Sequence, residues 1–151
     1  MKKVLSVILS VMLMVTALPL GAFNLTASAA TDGYYTYTVT GGKATITDVN
    51  TSISGDIIIP NTLGGYPVTK IGDQAFQWCR KITGVTIPNT VTTIGEYAFD
   101  FCTAMIYVDV PDSITSMGSD AFDVCSSLEI VYMEDLAAWC NIDFTGYPSN
   151  P

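Results

Sequence analysis

Three consecutive stretches of this chain align residue on residue without a gap, and that regularity restricts the fold more than any other property. The stretches are 71–93, 94–116 and 117–139, opened by Ile71, Ile94 and Met117, and each is 23 residues long. The matched columns are Gly72/Gly95/Gly118, Ala75/Ala98/Ala121, Phe76/Phe99/Phe122 and Cys79/Cys102/Cys125. Ile82/Met105/Leu128, Val85/Val108/Val131 and Ile87/Val110/Met133 follow, and Pro88/Pro111 and Val91/Ile114/Ala137 complete the unit. A 23-residue period falls within the range of solenoid repeats that carry one strand per coil.

The composition of the unit says how it folds. Val85 and Ile87 alternate with Thr86, the period of a short half-buried strand. Pro88 then ends the strand, because it has no N–H for a ladder. Further on, Ala75, Phe76 and Cys79 are spaced as on one face of a helical turn. The expected fold class is therefore an α/β solenoid of 23-residue coils, each a short parallel strand plus a short helical turn. One such unit cannot bury enough apolar surface to fold alone, so neighbouring coils must supply the core.

Upstream, Gly55-Asp56-Ile57-Ile58-Ile59-Pro60 reads as the strand and proline of an earlier, partial unit. Five additional residues, Leu63-Gly64-Gly65-Tyr66-Pro67, form an expanded turn behind it. Before it, 34–39 and 43–47 alternate apolar and polar residues around Gly41-Gly42, which predicts a β-hairpin capping the first open end. The expected organisation is a β-rich cap over 31–60, a solenoid over 61–144 with repeats at 71–93, 94–116 and 117–139, and a truncated further unit or tail at 145–151.

The pattern Ile-Gly-x-x-Ala-Phe-x-x-Cys, followed by an aliphatic strand and proline, resembles the BspA-type leucine-rich repeat of bacterial surface and secreted proteins. The lead-in Gly65-Tyr66-Pro67-Val68-Thr69-Lys70-Ile71-Gly72 is similar to that family's entry sequence. The resemblance covers roughly residues 34–144. It implies a leucine-rich-repeat solenoid, a secreted or cell-surface location, and adhesion or protein binding without catalytic residues. Glu134 replaces the proline in the third block, and Trp139-Cys140-Asn141-Ile142 replaces the next Ile-Gly; by the family resemblance, a Trp-x-x-Ile segment of this kind implies an irregular unit rather than the end of the array. The last residues, Tyr147-Pro148-Ser149-Asn150-Pro151, resemble the opening of another unit, so the chain is expected to be part of a longer protein.

Residues 1–30 read as a signal peptide. Lys2 and Lys3 form the basic start, 4–20 is largely apolar, and Ala27-Ser28-Ala29 suits a cleavage site after Ala29 or Ala30. Pro19 and Gly21 interrupt the apolar run too early for a comfortable span, and no later stretch is long enough, so no membrane span is expected in the mature chain. Without Lys2 and Lys3, 4 basic residues face 14 acidic ones. That balance disfavours nucleic acid and anionic membranes as partners.

The chain has no histidine, which removes the usual nucleophilic triads and histidine-containing zinc sites. No Cys-x-x-Cys and no phosphate-binding glycine loop occur. Asp109, Asp112, Asp120 and Asp123 hold variable positions without metal-loop spacing and read as a solvated face. Cys79, Cys102 and Cys125 keep step with Ala-Phe and are expected as a buried column of free thiols, with Cys140 outside it and exposed. No cofactor, metal or enzymatic activity is expected.

Between the inward residues of each strand, side chains must point to the open side of the sheet. Ile58, Thr86, Tyr107, Asp109, Ile130 and Tyr132 are the candidate ligand-binding face, and Gly84 shares their side. The expected partner is a protein or glycan on a host or neighbouring cell. The alternative is a non-catalytic scaffold or spacer within a larger secreted enzyme or surface protein.

Overall fold

The structure, a computed structural model, describes residues 29–145. The expected signal peptide, apart from Ala29 and Ala30, and the tail from residue 146 lie outside them. Each 23-residue unit contributes one strand to each of two parallel stacks. In the first stack, β4 (Gly55–Ile58), β7 (Ile82–Thr86), β9 (Tyr107–Asp109) and β11 (Ile130–Tyr132) pair in the order β4-β7-β9-β11. Val85, Val108 and Val131 stand directly opposite one another, as do Ile57 and Val85. The second stack runs β6 (Tyr66–Ile71), β8 (Thr93–Ile94), β10 (Ser116–Gly118) and β12 (Asp143–Thr145). Its axis is Ile71, Ile94, Met117 and Phe144.

The second stack continues into the N-terminal hairpin. Strands β2 (Tyr35–Thr40) and β3 (Lys43–Val49) pair antiparallel around Gly41-Gly42, β1 (Ala30–Asp32) adds to β2, and β3 pairs parallel with β6. Ala44 and Ile46 of β3 are fully buried, so the hairpin closes the core at that end. The five additional residues after Pro60 form a second, tighter hairpin. There β5 (Thr62–Leu63) turns onto β6 through Gly64 (φ 56°) and Gly65 (φ 83°), both left-handed as a two-residue turn between twisted strands requires.

The α/β assignment and the short helical turn expected in each coil are not what forms: the molecule is a β-solenoid. The Ala-Phe-x-x-Cys stretch is a chain of turns. Gln74, Trp78, Tyr97, Phe101, Asp120 and Val124 all have left-handed φ, which a right-handed helix cannot contain. The hydrogen bonding explains the choice. Gln74, Phe76 and Trp78 donate their N–H groups to the carbonyls of Glu96, Ala98 and Asp100 one coil on, at 2.7–2.9 Å. Alternate residues Ala75, Gln77 and Cys79 bond locally to the third residue back. A helix would turn all these donors along its own axis and leave adjacent coils unbonded on this side.

The core repeats with the sequence. Phe76 and Phe99 stack at 4.7 Å between ring centroids, and Phe99 and Phe122 at 5.1 Å. Cys79 and Cys102 are fully buried and Cys125 half-buried, and all are free thiols. The thiol of Cys102 donates to the Phe76 carbonyl at 3.3 Å, and that of Cys125 to the Phe99 carbonyl at 3.2 Å. After β11 the period lengthens. Met117 pairs with Phe144, 27 residues on, and helix α1 (Leu136–Cys140) takes up the difference, capped by the Asp135 carboxylate on the Ala137 N–H at 2.8 Å. Trp139 packs edge-on against Phe144 at 5.9 Å. Cys140 is exposed.

Candidate functional site

The register of the first stack fixes two lanes of outward residues. One lane is Asp56, Gly84, Tyr107 and Ile130, and the other is Ile58, Thr86, Asp109 and Tyr132. All six residues proposed from the sequence fall on these lanes, on the side opposite Ile57, Val85 and Val108. Ile58 is 76% exposed, Tyr132 52% and Ile130 40%, whereas Thr86, Tyr107 and Asp109 are half-buried.

Tyr107 is half-buried because it lies down along its lane. Its ring crosses Gly84, where a Cβ would collide with the ring carbons. Its hydroxyl donates to the Asp56 carboxylate two strands away. Burial raises the Tyr107 phenol above its ordinary pKa, and the Asp56 carboxylate adds to the shift. Asp56 also accepts from the Thr83 hydroxyl at 2.6 Å. On the other side, Tyr132 meets Tyr107 edge-to-face at 6.0 Å. Asp56 is the member of this cluster that the sequence reading missed. Its rung with Gly84 and Tyr107 was the available signal.

Beyond the strand ends, the second lane opens into a groove of about 570 Å³. Thr86, Asn89, Asp109, Asp112, Ser113 and Glu134 line it. Asp112 accepts the Asp135 N–H at 3.1 Å, and the Ser113 hydroxyl donates to the Val91 carbonyl at 2.6 Å. Asp109 and Glu134 have no side-chain hydrogen bond or ion pair among the described residues. The structure therefore divides the four aspartates grouped earlier. Asp109 and Asp112 line the groove, while Asp120 bonds Tyr97 and Asp123 caps the Val124 N–H at 2.8 Å on the turn side. The bond to Asp120, chiefly, raises the Tyr97 phenol.

Among the described residues no group of three or more Cys, Asp or Glu side chains is placed to hold a metal ion. The column thiols are far from nucleophilic. Burial raises Cys79 to about 11 and Cys125 to about 12, and raises Cys102 as well. No described helix is long and apolar enough to cross a membrane.

Comparison with known proteins agrees with this architecture. Among solved structures, a leucine-rich repeat protein of T. pallidum matches with a TM-score of 0.64 at 24% identity, over 79% of this chain and 64% of that one. A leucine-rich cell surface protein from Faecalibacterium prausnitzii matches with a TM-score of 0.61 at 34% identity, over 77% of this chain and 35% of that one. A leucine-rich repeat protein from Bacteroides ovatus matches with a TM-score of 0.56 at 30% identity, over 76% of this chain and 33% of that one. The chain thus spans between about a third and two thirds of the length of these structures. No curated protein matches it. The family model of the BspA-type leucine-rich repeat region matches residues 50–142 in six copies. Repeat proteins of this type are generally surface-associated binding modules. With more than half of its length matched in repeating copies, and with the coil geometry in register, the chain belongs to the BspA-type leucine-rich repeat family.

Proposed function

We propose that this protein is an extracellular binding module whose site is the open face of the β4-β7-β9-β11 sheet, and that it attaches to a protein on a host or neighbouring cell. The observation that carries this reading is the contrast across that sheet. The inward positions Val85 and Val108 are fully buried and repeat in kind. The outward positions differ from coil to coil and leave Ile58, Ile130 and Tyr132 to solvent. Tyr is enriched among energetically dominant contacts, and Tyr107 is already held in one orientation by Gly84 and Asp56. Preorganisation of that kind reduces the entropy lost on binding. The leader-like residues 1–30 support export.

The test is a Tyr107→Ala, Tyr132→Ala double variant assayed for adhesion to host cells or extracellular matrix. Loss of adhesion with an unchanged circular dichroism spectrum is expected. Full adhesion by the folded variant removes this face as the site.

A further inference from the structure

Charge is not spread evenly along the solenoid. Up to Lys81 the described residues hold four acidic side chains, Asp32, Asp48, Asp56 and Asp73, against Lys43, Lys70, Arg80 and Lys81. Beyond Lys81 the chain has ten acidic residues and not one lysine or arginine. The ion pair among the described residues, Lys70 to Asp73 at 3.9 Å, lies in the balanced half. The acidic coils therefore carry no cationic side chain of their own; Arg80 of the preceding coil reaches over Phe101 on the turn side, and the carboxylates on the open face repel one another in the folded state.

That asymmetry runs onto the open face. Asp109 shares a rung with Thr86 and with the exposed Tyr132, and it lines the groove with Asp112 and Glu134. Asp109 and Glu134 are the two of these without an internal side-chain partner among the described residues. Aromatic rings beside unpaired carboxylates suit an ammonium or guanidinium group, which gains from both the ring and the charge. A second copy of this chain would bring the same negative coils against these, and a neutral glycan would leave the carboxylates unmatched.

We infer that the partner of this face is a lysine- or arginine-rich protein segment, with its cationic side chains against Asp109 and Glu134 and its stems against Tyr107 and Tyr132. This rests on the sheet face being the binding site. It adds the charge of the partner, with affinity that depends on salt because exposed charges are screened over roughly 8–10 Å at physiological ionic strength.

The experiment measures binding of a fluorescein-labelled ten-residue oligolysine by anisotropy, with oligoglutamate as the opposite-charge probe. Oligolysine is expected to bind, to weaken steeply with sodium chloride, and to lose about tenfold in affinity in Asp109→Asn, Glu134→Gln. A control pair, Asp123→Asn, Asp143→Asn, removes the same charge from exposed positions off this face and is expected to change affinity by less than about twofold. Circular dichroism confirms that both variants are folded. Equal weakening by the two pairs means a diffuse field rather than a docking surface and overturns the inference. So does a failure of oligolysine to bind. If the tyrosine variant loses adhesion while wild-type adhesion is insensitive to salt and to the Asp109/Glu134 pair, the face stands as the binding site and the cationic partner does not.

Discussion

The ring of Tyr107 occupies the space that a side chain on Gly84 would fill. The two residues are direct register partners on β7 and β9, so the strand position without a side chain is the one that lets its neighbour lie flat. Gly84→Ala should swing Tyr107 off the sheet and break its bond to Asp56. The backbone of Gly84 is not in the left-handed region, and the obstruction is a movable side chain, so the stability change should stay within about 1 kcal/mol. A spectrophotometric phenol titration reads the effect: the raised Tyr107 transition should move down toward the ordinary value of 10.0. An unmoved titration would mean that Tyr107 does not depend on Gly84 for its environment.

Phe99 stacks on Phe76 on one side and Phe122 on the other, and is fully buried. Phe99→Ala should cost about 3–5 kcal/mol, since it removes a ring from both stacks at once. Urea denaturation measures it. A loss below about 1 kcal/mol, as at a surface site, would contradict the continuous column.

The buried thiols should be inert. At pH 8 iodoacetamide should modify Cys140 promptly and reach Cys79 and Cys102 only in denaturant. The pH dependence has a definite sign. The folded-state values are raised above the ordinary 9.0, so the stability linked to the neutral thiols is complete below pH 9. It is lost as pH rises through about 11 for Cys79 and about 12 for Cys125. Denaturation midpoints should therefore fall on going from pH 8 to pH 11, and replacing Cys79 with Ala should flatten part of that slope.

Val124 sits at φ 51° while 39% exposed. A β-branched residue in left-handed backbone is strained, and Val124 recovers little of that by burial. Val124→Asn should raise stability by about 1 kcal/mol, because asparagine adopts this region readily. A destabilised variant would show that the apolar contacts of Val124 outweigh its backbone strain.

Export gives a further expected outcome. Secreted material should begin at Ala30 or Thr31 on N-terminal sequencing, and a start that retains Lys2 and Lys3 would remove the signal-peptide assignment.

The inward columns were legible because the core requires the same residue at each level: Phe76, Phe99 and Phe122 announce one stack, and Val85, Val108 and Val131 another. The lanes of the open face followed from the two-residue period of the strands alone. The second stack was much harder to see. Strand β8 is two residues long, and Thr93-Ile94 leaves too short a pattern for alternation to show. The helical turn was wrong for a related reason. Phe76 and Cys79 do share a side, but three-residue spacing fits a series of turns as well as a helix. Nothing in Trp78, Phe101 or Val124 advertises left-handed backbone, which is ordinarily marked by glycine or asparagine. The groove was invisible because Asn89, Asp109 and Glu134 come from three different coils and converge only through register.

That register also makes the molecule extensible. Across the three 23-residue coils both stacks keep equivalent residues opposite one another, and the turn side bonds coil to coil by alternate N–H groups, so within this regular part each level offers its successor the surface it received from its predecessor. A duplicated 23-residue unit placed between existing levels would find its strand partners already spaced on both sides. Each duplication would lengthen the open face by about 4.8 Å and give each lane one new position. The reach and chemistry of that surface are thus free to change by whole-unit gain and single outward substitutions, while the buried columns stay as they are.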